Sequence, residues 1–419
     1  MKTRLNRRKL LASLGFGVAG ATSPWKPLPS LVGEARAAGR HRPRGYIRTN
    51  WSQDPFALGS YSIVVRGARQ RDRRRLEEPV GGRLFFAGEA AHPDYNSTVH
   101  AAFESGERAA EAILAVPASR IRTVGVIGAG MAGLACASWL AEEGREAHVL
   151  EARDRIGGRV WTDNSLDLPL DLGASWIHGV TDNPMTGLAT DLGLARHMTG
   201  DDYLMLDGFG EPMPDRDAPG WLENVVSIQH TFGLDRDQIN MRAYWFQDDY
   251  DGGDATLPAG YASVFQGLEG DYALSLNSVV ESISHGEDGV TVSVAGREPL
   301  MFDAVVVTLP LGVLKVGSVR FEPPLPEAKQ EAIERLGMGL LDKLYLVFDE
   351  VFWDPQVPWI VTPDTGLAPG YFNQWFSLVP STGAPVLCAF HGGPPAFDLA
   401  NQSDEAVLDM ALGVINRLS

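Results

Sequence analysis

Three glycines, Gly128-Ala-Gly130-Met-Ala-Gly133, stand between an apolar run, Thr123-Val-Gly-Val-Ile127, and a helix-spaced one, Leu134 to Gly144. A second apolar run, His148-Val-Leu150, ends at Glu151. Strand, glycine turn, helix, strand and acid is the pattern that holds a dinucleotide. Gly128 permits the tight turn. Gly130 lets the backbone approach a pyrophosphate at the positive end of the helix, and Gly133 lets helix and strand pack closely. Glu151, 23 residues after Gly128, can accept from both hydroxyls of an adenosine ribose. NAD and FAD both use this unit.

The residues that follow decide between them. Glu151-Ala-Arg153-Asp-Arg155-Ile-Gly157-Gly158-Arg159 brings backbone close a second time at Gly157 and Gly158. Arg153 and Arg159 supply cations for a ribose–diphosphate. This string resembles the second cofactor motif of the flavin-containing amine oxidases. The likeness continues in Asp171-Leu-Gly173-Ala174-Ser175-Trp176-Ile-His178-Gly179, which resembles the family's segment beside the flavin ring. Histidine in Trp-Ile-His-Gly is similar to the polyamine oxidase branch. The resemblance implies a Rossmann-like FAD-binding domain with a parallel sheet, beside a mixed-sheet substrate domain under a helical cap. It implies non-covalent FAD, since neither Cys136 nor Cys388 falls where a link would be sought. Two cysteines also make no disulfide framework and no cysteine zinc site, and no metal is expected.

Stepping along the chain, the family's closing segment precedes the glycine motif. Trp51 with Gly59-Ser-Tyr61-Ser, Leu84-Phe-Phe-Ala-Gly88-Glu89 and Ser97-Thr98-Val99-His-Ala101 resemble that segment. The resemblance sets Gly88 and Glu89 at the ribityl–phosphate arm. It sets Thr98 and Val99 at a helix start under the flavin's pyrimidine end, where the helix dipole favours negative charge. A circular permutation accounts for the order, with Val116 to Arg120 as the new joint. A gene-model artefact or a remnant of a tandem duplication is the competing account. The expected divisions are 1–38 export signal, 45–115 relocated FAD-binding segment, 121–180 Rossmann core, 181–260 substrate domain and a shortened cap, 261–318 return strands of the FAD domain, and 319–419 the rest of the substrate domain.

In the substrate half, Ser275 to Val294 reads as two strands joined by a Gly-containing turn. The resemblance makes Val280 a backbone contact to adenine. Lys343 sits at the edge of an apolar strand, where an unpaired burial is costly and a surface lysine would snorkel. By resemblance it holds a water against flavin N5. Tyr61 gives one aromatic wall. Monoamine oxidases have a second tyrosine where Thr98 stands here. His178 would bind a substrate nitrogen, although a bare histidine is more often a core hydrogen-bonding residue. Gln247 to Gly260, QDDYDGGDATLPAG, lacks the alternation and closing Glu of an EF-hand. It reads as a solvated loop, with an acidic rim that attracts cations as the other reading. The chemistry implied is transfer of hydride from the carbon next to nitrogen to the flavin, with O2 going to peroxide and the imine hydrolysed to an aldehyde. Monoamine or amino-acid oxidation stays open, the latter needing an arginine such as Arg242 for the carboxylate. A non-catalytic flavin protein also stays open.

The balance of 44% hydrophobic and 21% charged residues in 419 excludes a disordered, collagenous or coiled-coil chain. With 36 cations against 53 anions, the charge is −17. Phosphate backbones and anionic membranes repel such a surface, so neither is an expected partner, whereas a small cationic amine fits. Five cations precede the apolar run Leu10 to Ala21, and Ala35-Arg-Ala37 has the form of a cleavage site. Twelve residues are too short to span a bilayer. The Arg7-Arg8 pair resembles a twin-arginine signal, implying export to the periplasm or medium in a folded state with FAD already acquired. Cleavage after residue 37 would leave 29 cations against 52 anions, −23.

Overall fold

A computed structural model describes residues 41–95, 97–244 and 248–417. The export signal expected over 1–38 lies outside the described residues. Two sheets organise the rest. The first has five parallel strands in the order Ala273–Ser275, Glu146–Leu150, Thr123–Ile127, Ala304–Val307, Leu84–Phe86. Its central strands, TVGVI and AVVV, are buried almost throughout, as a sheet covered on both faces requires. The Met131–Glu142 helix covers one face, packed on the Val99–Leu114 helix. They approach closely at Gly106, where a Cβ would lie 2.2 Å from the Ala132 carbonyl oxygen. A four-stranded sheet, in the order Leu300–Phe302, Gly289–Val294, Val280–Gly286, Arg320–Glu322, seals the other face with Ile283, Val290 and Val292.

The second sheet has six strands, in the order Gly45–Arg48, Leu341–Val347, Val386–Gly392, Gln374–Ser377, Trp359–Val361, Tyr203–Met205. All pairs are antiparallel except the last. The Asp404–Ile415 helix, capped by the Ser403 hydroxyl on the Ala406 amide, lays Val407, Ala411 and Val414 on it.

The segment expected over 45–115 thus gives an edge strand to each sheet: Gly45–Arg48 beside Leu341–Val347, and Leu84–Phe86 beside Ala304–Val307. Of residues 181–260, Tyr203–Met205 joins the six-stranded sheet. Their helical pieces are short: Pro184–Asp191, a π-turn over Asn224–Gln229 leading into His230–Phe232, and Met241–Tyr244. Of 261–318, Ala273–Ser275 and Ala304–Val307 return to the parallel sheet, and the others build the four-stranded one. Among the described residues no helix is long and apolar enough to cross a membrane.

Candidate active site

A groove of about 540 Å³ runs over the carboxyl ends of the parallel strands. Gly128 turns there with φ +111°, a conformation that favours glycine. At Gly133 a Cβ would lie 2.0 Å from the Gly128 carbonyl oxygen, so this glycine serves packing and does not line the groove. Gly130 differs from both. It lines the groove at the N-cap of the Met131–Glu142 helix, and a Cβ built on it meets no protein atom nearer than 4.0 Å. Space is left above that helix N-terminus where an anion is favoured. Gly157 donates its amide to the Ala129 carbonyl at 2.8 Å, clamping the second glycine pair against the first.

Glu151 lies at the strand end with one oxygen accepting from the Ala129 amide (2.7 Å) and the other from the Arg153 amide (2.9 Å). Each oxygen keeps a lone pair for a further donor. Arg153 pairs with Asp54 at 2.6 Å, a contact that joins the 45–115 segment to the second motif. Val280 and its neighbour Val279 line this end of the groove. Nearer the middle, Arg159 contacts Glu89 at 2.9 Å and the Ser60 carbonyl. Glu89 is buried and also accepts from the Ser62 and Ser97 amides. Burial alone would raise its pKa. Arg159 and the fully buried Arg73 outweigh that and hold the carboxyl below the usual carboxylate range. Gly88, with φ +129°, brings the backbone into the groove beside it.

At the far end the groove is lined by Trp51, Gly173, Ala174, Ser175, Trp176, Thr98, Val99 and Lys343. Lys343 is buried. Its ammonium donates to the Asp171 carbonyl (2.8 Å), the Gly173 carbonyl (2.6 Å) and the Ser175 hydroxyl. Burial pulls its pKa down, opposed by Cys388 and Asp171. All three of its donors are thereby engaged, so its visible task is to pin the 171–175 segment along the groove. Thr98 caps the Val99–Leu114 helix by accepting from the Ala101 amide at 3.1 Å while donating to the Tyr95 carbonyl at 2.9 Å. Its hydroxyl is therefore committed to the helix start.

A second cavity of about 490 Å³ meets the groove at Tyr61, Ser97, Thr98, Trp176, His178 and Leu341. Phe232, Tyr244, Trp359 and Phe390 add aromatic walls. Its rim is the 249–254 loop, which brings Asp249, Asp251 and Asp254. Among the described lining residues there is no arginine or lysine. Arg242 is exposed and lines neither cavity. The acidic loop, expected to be a solvated one, is tied down by backbone bonds from Val180, Thr181 and Thr199 and by two of its side chains. Asp254 contacts His178 Nδ1 at 2.8 Å, and the Tyr250 hydroxyl donates to Glu104 at 2.5 Å, with Tyr250 stacked on Tyr95 at 4.7 Å between centroids. Asp254, Trp359 and Phe390 had no motif to mark them.

A family model described as flavin containing amine oxidoreductase matches residues 25–114, 131–209 and 229–418. The chain belongs to this family. The "Polyamine oxidase 2" of Arabidopsis thaliana is 32% identical over 361 residues, covering 72% of this chain and 73% of that one. The "Probable polyamine oxidase 4" of the same plant is 33% identical over 350 residues, covering 68% and 69%. A solved double mutant of putrescine oxidase, redesigned in its cofactor binding, superposes with a TM-score of 0.52 at 19% identity, over 71% of this chain and 81% of that one. At that identity the likeness concerns the fold. This oxidase is therefore FAD-dependent and acts on amines. The open space over Gly130, the charges of Arg153 and Arg159 and the uncommitted lone pairs of Glu151 fit the dinucleotide. When bound, FAD supplies the two-electron acceptor; the protein supplies orientation, exclusion of water and management of the amine's proton.

Proposed function

We propose that this amine oxidase acts on di- or polyamines. The observation that carries the reading is the cavity joined to the flavin groove, which has three aspartates on its rim, aromatic walls, and no arginine or lysine among its described lining residues. An extended polycation suits it, and an amino-acid carboxylate does not. The relatives named polyamine oxidases support the same reading. In it, Glu151 would bind the ribose, Gly130 and Arg159 the diphosphate region, Val280 the adenine end, and Gly173 to Trp176 would flank the ring. Tyr61 and His178 would face the reacting amine, and Thr98 would act by holding the helix start.

The test is the visible spectrum of purified protein under nitrogen, with and without spermidine, followed by a peroxide assay on spermidine, spermine, monoamines and amino acids. Bleaching with the polyamines and peroxide in air is expected. Peroxide from amino acids alone, or from none of the compounds with flavin bound, sinks the reading. The Asp249→Asn, Asp251→Asn pair should weaken spermidine by about tenfold, through loss of charge at the rim, and leave a monoamine within about twofold. Equal losses on both would place the distal nitrogens elsewhere.

We further propose that the order of segments is a genuine permutation and that the protein is exported through its twin-arginine segment. The two edge strands given by residues 45–86 support the first. Intact mass of the secreted product checks both: a species beginning near residue 38 and containing residues 45–115 is expected, and one lacking 45–115 overturns the permutation.

A further inference from the structure

His178 sits where the two cavities join, and its surroundings fix its ring in one way. Asp254 receives Nδ1 on one carboxylate oxygen (2.8 Å) and the Gly179 amide on the other (3.1 Å). The His178 carbonyl accepts from Asn183 Nδ2 at 3.0 Å. Nε2 has no protein partner among the described residues, and the side chain is 43% exposed to the cavity space. His100, bridged to the same Asn183, is pulled down to about 3 by burial and then by His178, so it stays neutral.

We infer that Asp254 is a positioning residue for amine oxidation: it holds His178 with its proton on Nδ1 and so leaves Nε2 bare to take a proton from the substrate ammonium. An ionised carboxylate is acceptor-only, which assigns the proton between Asp254 and the ring to Nδ1. An aliphatic amine arrives protonated at neutral pH, its pKa near that of lysine. It cannot release hydride from the adjacent carbon until its nitrogen holds a free electron pair. In the transfer, the ammonium N–H bond breaks, its electron pair stays on the amine nitrogen, and the proton bonds to Nε2. The resulting imidazolium faces the Asp254 carboxylate, which stabilises it. Asparagine at 254 could not do this, since its NH2 would oppose either the Gly179 N–H or the Nδ1–H. This inference rests on the amine reading of the cavity.

The test is anaerobic rapid mixing with spermidine, following flavin bleaching in wild type, Asp254→Asn, Asp254→Glu, His178→Gln and the double variant His178→Gln/Asp254→Asn, at equal FAD content. Asp254→Asn should lose about tenfold or more, Asp254→Glu should return to within about threefold, and adding Asp254→Asn to His178→Gln should cost less than about twofold. Asp254→Asn at the wild-type rate, or an equal loss in the His178→Gln background, overturns the inference while the amine reading stands. Wild type unbleached by any amine overturns both. If Asp254→Asn fails to hold FAD, the 15N spectrum of histidine-labelled wild type decides. An Nδ1–H tautomer for His178, assigned by its disappearance in His178→Gln, supports the inference, and the Nε2–H tautomer overturns it.

Discussion

Gly130→Val will yield a folded protein that no longer retains FAD. The backbone at Gly130 has φ −80° and ψ −178°, an extended conformation that valine adopts without strain. The nearest protein atom to a built Cβ is the Gly157 carbonyl oxygen at 4.0 Å. New carbon therefore enters the groove at the helix N-terminus, where the diphosphate would lie in the proposed binding mode. Affinity for FAD should fall by at least about 100-fold, roughly 2.7 kcal/mol, with the melting temperature of FAD-free protein within a few degrees of wild type. Gly133→Ala is the control with opposite character. Its Cβ would be 2.0 Å from the Gly128 carbonyl oxygen and 3.3 Å from Thr308 Oγ1, so the damage falls on the glycine turn and the fold. Thermal melts of both FAD-free proteins, with FAD titrations followed by flavin fluorescence, separate the two. Gly130→Val holding FAD at wild-type affinity would move the diphosphate away from this helix.

The glycine turn was legible because everything it needs is local. Strand, turn, helix and acid lie within 29 residues, and each glycine answers a backbone requirement set by its own neighbours. The two-sheet architecture and the groove residues came with the same motifs. Asp254 was not legible, because its role is created by pairing far along the chain. Ala255 and Thr256 pair antiparallel with Ile177 and Trp176, and this register sets Asp254 beside His178, 76 residues away in sequence. Read alone, an acidic Gly-rich loop offers nothing to choose that carboxylate from its neighbours. The short strand Gly45–Arg48 is similar, since GYIR carries little pattern and its place is set by Leu341–Val347. Thr98 shows the opposite limit. Its position at a helix start was readable, yet whether a threonine there serves substrate or helix depends on which amide its oxygen accepts from, and that amide is Ala101 of its own first turn.

Lys343→Met should leave FAD bound and slow bleaching by spermidine, or the subsequent reoxidation in air, by well over tenfold, about 1.4 kcal/mol or more of barrier. Methionine keeps the unbranched shape of lysine, one heavy atom shorter, but donates nothing. The Asp171 and Gly173 carbonyls and the Ser175 hydroxyl would lose a shared donor inside the protein, a loss of about 1–3 kcal/mol for each buried group left unpaired. The ammonium also lies 5.7 Å from the Trp176 ring centre and 5.9 Å from that of Phe390, two walls of the substrate cavity. Freed from Lys343, the 171–176 segment can shift against both cofactor and amine. A displacement near 1 Å at a reacting centre costs on the order of 100-fold. Tyr345 limits the damage to the fold, because its hydroxyl still donates to the Asp171 carbonyl at 2.8 Å. Anaerobic and aerobic half-reactions measured separately, at matched FAD content, assign the loss to amine oxidation or to the oxygen step. If both rates equal those of wild type, Lys343 is a packing residue of the strand and has no part in the reaction.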